Sequence, residues 1–178
     1  MEDSEIFEKL KKIIYGCVDK IWENDSDLFE KSEWTITFRL GYYLQRALEI
    51  EKLIVLKGYV VDSEYNRFED DPKKAFKECE ECGKRESCLG DVDYNKSIRP
   101  DLVIHIRGNN DEYSNLIVIE VKKLKPNKNY YKNDYDKLKY LTCKKAKYHY
   151  RIGAHVVLDK TKNKSEFKWF ENGEEERE

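Results

Sequence analysis

Two apolar runs, Leu102 to Arg107 and Leu116 to Val121, flank Gly-Asn-Asn-Asp-Glu-Tyr-Ser, a segment of turn-forming residues from Gly108 to Ser114. Strand-forming runs joined in this way fold back as an antiparallel hairpin. The segments on either side have a different period. Upstream, Ile6, Phe7, Leu10, Ile13, Ile14, Cys17, Val18, Ile21 and Trp22 recur every three or four residues, which predicts a helix over residues 4 to 23. After the turn-like Asn24-Asp25-Ser26-Asp27, Ser32 can cap a second helix. Its buried face is Ile36, Leu40, Tyr43, Leu44, Ala47 and Leu48, and it ends near Glu51 or Gly58. Gly58 to Asn66 reads as a strand.

Downstream of the hairpin, Tyr130 to Lys145 is helix-compatible, with Tyr131, Tyr135, Leu138 and Leu141 on one face. Ile152 to Leu158 and Phe167 to Phe170 read as strands, and residues 171 to 178 as an acidic tail. Residues 68 to 97 form a polar, cysteine-containing insertion without periodicity. The 178 residues therefore predict one mixed α/β domain with an extra N-terminal helix.

Charged residues make up 39% of the chain, equal to the hydrophobic share, yet 3 Trp, 13 Tyr and 7 Phe exclude a disordered polyelectrolyte. The longest strictly apolar runs, Leu53 to Leu56 and Leu116 to Ile119, are far too short to cross a bilayer. The acidic start Met1-Glu2-Asp3-Ser4-Glu5 lacks the form of a secretion signal, so a cytoplasmic setting without membrane association is expected. A net charge of −2 hides an uneven distribution: residues 121 to 151 hold eleven Lys or Arg against Asp134 and Asp136. Tyr130, Tyr131, Tyr135, Tyr140, Tyr148 and Tyr150 lie among them. Such a stretch suits phosphate contact with base stacking, or is simply a solvated lysine-rich helix.

Asp101 follows Pro100 at the head of one hairpin strand, and Glu120-Val121-Lys122 closes the other. Side chains alternate along a strand, so Glu120 and Lys122 share a face, and folding the hairpin about residue 111 places Asp101 opposite residues 120 to 122. Two carboxylates this close repel unless a cation or a shared proton intervenes, and hard oxygen donors suit Mg²⁺ or Mn²⁺. A lysine beside them could orient or deprotonate an attacking water, or form an ordinary salt bridge.

Arg99-Pro100-Asp101, with Glu120-Val121-Lys122 nineteen residues on, resembles the PD-(D/E)xK motif of restriction-endonuclease-like nucleases. The α-β-β-β-α-β order over residues 33 to 158 resembles that superfamily's core. The resemblance implies a nuclease that cuts phosphodiester bonds, in DNA, leaving a 5′-phosphate and a 3′-hydroxyl, or a degenerate relative that only binds nucleic acid or a partner. It implies Asp101 and Glu120 as Mg²⁺ ligands and Lys122 as the residue that assists the water. Many members add a glutamate from the preceding helix; Glu33 is the candidate here, with Glu64 as the alternative. The helix after the second half-motif usually faces the site, which implies substrate contacts for Lys137 and Tyr135. Lys123 and Arg67 are further candidates, and a homodimer is expected by analogy.

Cys79, Cys82 and Cys88 are the clustered members of five cysteines, and in a reducing compartment their spacing favours a metal over a disulfide. They resemble the triplet of iron–sulfur nucleases of the same superfamily, although there the triplet follows the second half-motif. Zn²⁺ or an iron–sulfur cluster would need a fourth ligand from Cys17, Cys143 or a histidine, and Cys17 lies on the apolar face of the first helix. His105 can share a strand face with Asp101 or be a satisfied core histidine. Gly41 and Gly153 point to close packing rather than phosphate binding.

Overall fold

The computed structural model describes residues 3–50, 56–64, 67–68, 71–72, 98–109, 111, 113–124, 128–144, 146, 148–161 and 165–176. Helix α1 spans Asp3–Asn24, a 3₁₀ turn spans Ser26–Glu30, and α2 spans Glu33–Ile50. Strand β1 is Val60–Ser63; Arg67–Phe68 (β2) and Asp71–Pro72 (β3) form a separate two-stranded ladder. The hairpin is β4, Leu102–His105, and β5, Asn115–Lys123. A 3₁₀ turn at Lys128–Tyr131 leads into α3, Lys132–Thr142, followed by β6 (Ile152–Leu158), β7 (Glu166–Glu171) and β8 (Glu174–Glu175).

Six strands make one sheet in the order β1-β4-β5-β6-β7-β8. Every neighbouring pair is antiparallel except β5 and β6, which are parallel and joined through α3. A parallel pair needs such a crossover because its ends lie on opposite sides of the sheet. The period of two sorts β5 onto two cores. Ile117, Ile119 and Val121 pack with α1 and α2 against Leu10, Ile14, Leu40 and Leu44; Val118 packs with α3 and Phe170. The result is a mixed α/β fold whose six-stranded, mostly antiparallel sheet carries two helices on one face and one on the other. None of the helices among the described residues is long and apolar enough to cross a membrane.

Several expectations change in detail. The first strand is confined to Val60–Ser63, because Glu64 adopts a positive φ of 48° that leaves extended geometry. The predicted acidic tail is in part structured: Glu174 pairs with Glu171, and Lys11 ties down Glu176 at 2.8 Å. Turn geometry at Asn172 and Gly173, both with positive φ, makes that last hairpin. The tyrosines of the basic stretch mostly point inward: Tyr131, Tyr140, Tyr148 and Tyr150 are buried, and Tyr130 is exposed. Those four are core residues, which leaves Tyr130 and the half-buried Tyr135 as the rings of this stretch with surface open to a partner. The insertion's cysteines, Cys79, Cys82 and Cys88, lie outside the described residues.

Both singled-out glycines mark close approaches. A Cβ on Gly41 would sit 2.9 Å from Leu102 Cδ2, and one on Gly153 would meet Thr142 Cγ2 at 3.0 Å, Phe170 Cβ at 3.2 Å and Leu138 Cδ2 at 3.3 Å. Gly153→Ala is therefore expected to lower the melting temperature by roughly 3–10 °C through overpacking. Gly16→Ala, on the exposed side of α1 with nothing within 4 Å of the new Cβ, should raise it by about 2–4 °C, since alanine is the better helix former. Thermal circular dichroism of the two variants checks both signs.

Candidate active site

Strand β5 carries Val118, Glu120 and Lys122 on the face that α3 covers, as the strand period requires. Leu102 of β4 pairs with Ile119, so Asp101, one step earlier, stands opposite Glu120. Asp101 Oδ2 accepts the Val121 N–H at 2.8 Å and lies 3.3 Å from Lys122 Nζ. Helix α2 starts beside them because Ser32 Oγ caps it, accepting the Thr35 N–H at 3.2 Å. Its first residue, Glu33, lies 3.3 Å from Lys122 Nζ through Oε1 and accepts the Lys123 N–H through Oε2 at 3.1 Å.

Helix α3 closes the other side. Lys137 Nζ donates to Glu120 Oε2 at 2.6 Å and reaches the Arg99 carbonyl at 3.4 Å. Asp134 Oδ2 lies 4.0 Å from Lys122 Nζ and 3.7 Å from His155 Nε2. His155 stands in register beside Glu120 on β6, fully buried, with neither ring nitrogen hydrogen-bonded. Its ring packs between Tyr131, at 4.9 Å, and Tyr135, at 4.8 Å.

The structure thus gathers Glu33, Asp101, Glu120, Lys122 and Lys137 around the end of β5. Glu64 stays near: its N–H donates to the Asp101 carbonyl at 3.0 Å, and it lines a cleft of about 150 Å³ with Glu33, Trp34, Thr37, Phe38, Ser63 and Asp101. Lys123 is adjacent, but its ammonium is engaged with the Lys31 carbonyl at 2.8 Å. Tyr135 is half-buried and packs against His155 and Phe170. Arg67 belongs to the separate β2–β3 ladder. His105 pairs with Asp62 at 2.9 Å on the β1 side of the sheet, which makes it a satisfied core histidine. Arg107 hydrogen-bonds the same Asp62 and, against the burial of that group, holds its carboxyl below the usual range. Cys17 sits in the core, where burial pushes its thiol up to about 11, and Cys143 is buried as well.

Sequence reasoning passed over Asp134 and His155. Asp134 was legible: it precedes Lys137 by three residues, which places the two on one helix face. His155 was not, because its neighbour Glu120 is set by the parallel register of β5 and β6, and no local pattern encodes that.

Burial dominates the electrostatics of Glu120. It pushes the carboxyl up to about 8 in spite of the Lys137 ammonium; the charges of Asp101 and Asp134 push the same way, and Lys122 opposes. For Lys122, burial disfavours the ammonium, but Asp101, Glu120, Asp134 and Glu33 together outweigh it and hold the pKa above its ordinary value. Lys122 is therefore a fixed cation near neutral pH.

Glu120 Oε1 is buried without a hydrogen-bond partner, an arrangement that a proton or a cation would relieve. Together with Asp101 it offers hard oxygen donors of the kind Mg²⁺ or Mn²⁺ accepts. Among the described residues no group of three or more His, Cys, Asp or Glu is arranged to hold a metal. The donor set fits a divalent ion that keeps several waters, as Mg²⁺ does, rather than a closed protein cage. No known protein family, curated protein or solved structure matches the chain.

Because the folded-state pKa of Glu120 is raised, its contribution favours the fold below about pH 4.5 and is lost as pH rises through about 8. In EDTA, Glu120→Gln should therefore gain over the wild type as pH rises from about 5 to about 9, by at least about 3 °C in melting temperature. A constant difference across that range would show that Glu120 is ionised throughout.

Proposed function

We propose that this chain is a divalent-metal-dependent nuclease that hydrolyses phosphodiester bonds, in DNA, with the architecture of the PD-(D/E)xK superfamily. The observation that carries the proposal is the meeting of Asp101, Glu120 and Lys122 with Glu33 at one end of β5. The order α2-β1-β4-β5-α3-β6, with an antiparallel hairpin followed by a parallel crossover, supports the same reading.

Asp101 and Glu120 would hold the ion, with Glu33 the third acid at the same end of β5. When bound, the ion supplies Lewis-acid activation of the phosphate and of a coordinated water. Lys122, fixed as a cation, orients the attacking water as a hydrogen-bond donor and offsets charge on the phosphate; it is not the base that removes the proton. Lys137 compensates Glu120 from the helix side and holds α3 against the site through the Arg99 carbonyl.

One observation favours a second reading. The close Lys137–Glu120 pair compensates a carboxylate with the chain's own cation, which suits a non-catalytic nucleic-acid-binding or partner-binding module of the same fold. Cleavage of labelled single- and double-stranded DNA in Mg²⁺, Mn²⁺ or EDTA separates the two. The nuclease reading expects metal-dependent cutting that falls at least about 100-fold in Asp101→Ala and in Lys122→Ala. DNA binding without cleavage in any metal, unchanged by Asp101→Ala, would replace the enzyme with the binding module.

A further inference from the structure

The outward face of α2 is not that of an ordinary solvated helix. Trp34, Phe38 and Tyr42 recur every four residues and are 61%, 58% and 50% exposed, while Ile36, Leu40 and Leu44 on the opposite face are buried. Exposed positions of a surface helix normally carry charge, because uncovered ring surface costs solubility and contributes nothing to the core. Here the rings form a row. Trp34 and Phe38 lie 5.8 Å apart and nearly parallel, at 19°. Tyr42 continues the row with the Arg39 guanidinium 5.8 Å from its ring centroid.

The row starts inside the candidate site. Trp34 and Phe38 line the same cleft as Glu33, Asp101 and Glu64. A strand whose phosphodiester lies at Asp101 would thus have its neighbouring nucleotides over α2. Arg39, at 3.5 Å from Asp25, and Arg46, at 2.9 Å from Glu49, are the cations near the rings, each paired with an acid. Rings four residues apart are separated by about 6 Å along the helix. That is nearly twice the roughly 3.4 Å between successive nucleotides of a duplex strand. Bases stacked in a duplex cannot each meet a ring at this spacing; bases of an extended single strand can.

We propose that α2 is a stacking platform for single-stranded nucleic acid, with Trp34, Phe38 and Tyr42 each taking an unpaired base. The proposal rests on the nuclease reading for the position of the phosphodiester and gives it a substrate class: single strands or unpaired ends. Stacking is tolerant of base identity, so no sequence preference comes from this surface.

The test uses a short oligothymidylate and a blunt duplex of the same length, bound by the full chain in EDTA and read by anisotropy and tryptophan emission. Of the three tryptophans, Trp169 is buried and Trp22 is stacked on Phe29 at 4.0 Å, so quenching by a ligand reports Trp34. The wild type should bind the single strand more tightly than the duplex, with quenched emission. Trp34→Ala and Phe38→Ala should each weaken single-strand binding by about tenfold, with duplex binding changed far less. Trp34→Phe should restore most of the affinity, which a merely folded or merely charged surface would not require. Unchanged single-strand affinity in the alanine variants overturns the proposal. So does a change from dimer to monomer at unchanged single-strand affinity, which would make the row a contact between two copies of the chain. Cleavage in Mg²⁺ is followed in parallel. Binding that tracks Trp34 without any cleavage would sink the nuclease reading and leave the platform standing. Cleavage of single strands that ignores Trp34→Ala would do the reverse.

Discussion

Lys122 is the charge around which the site is organised. It lies within 4.0 Å of carboxylates from the start of α2, the residue before β4 and the first turn of α3. A cation at the end of a strand buried on both faces is tolerable only because those acids surround it, and the acids in turn repel one another without it. The elements that meet at this end of the sheet are therefore coupled electrostatically as well as by packing. The Ser32 cap fixes where Glu33 projects, the β4–β5 register places Asp101 against Glu120, and the crossover through α3 delivers Asp134 and Lys137.

How much of this was legible follows from the range of the interactions. The hairpin was readable because its two strands are joined by a local turn, and folding it about that turn places Asp101 opposite residues 120 to 122 by counting alone, a range that includes the observed neighbour Glu120. Glu33 was readable for a related reason: Ser32 announces the helix start within four residues. The parallel partner of β5 is different. Nothing near Ile152–Leu158 says that His155 will stand beside Glu120, since that register is decided by how α3 packs. The same limit explains the tyrosines at 131, 140, 148 and 150. Their spacing among lysines looks like a binding stripe, but an aromatic ring buries more surface than a lysine and the fold takes the rings inward.

That sorting has a consequence for recognition. The segment richest in Lys and Tyr contributes Tyr131, Tyr140, Tyr148 and Tyr150 to the core and Lys122 and Lys137 to charge compensation, while three exposed rings, Trp34, Phe38 and Tyr42, line α2, where the local sequence is not conspicuously basic. Composition alone weights both regions equally. Burial separates them: an exposed Trp34 beside the cleft is available to a ligand, and a buried Tyr148 is not, whatever charges flank it in the chain.

The charges near β5 do not balance. Glu33, Asp101, Glu120 and Asp134 stand against Lys122 and Lys137, so full ionisation leaves an excess of two negative charges in a partly dry space. The protein by itself resolves part of this by raising the Glu120 carboxyl to about 8, so that near neutral pH it tends to hold a proton on the most buried of the four acids. On the proposed nuclease reading, a divalent cation would offset the excess and displace that proton, since a carboxylate ligates only when ionised. On that reading, proton and metal ion would compete for the Glu120 carboxylate. Four carboxylates around two ammonium groups are the arrangement that the nuclease proposal needs for its divalent cation.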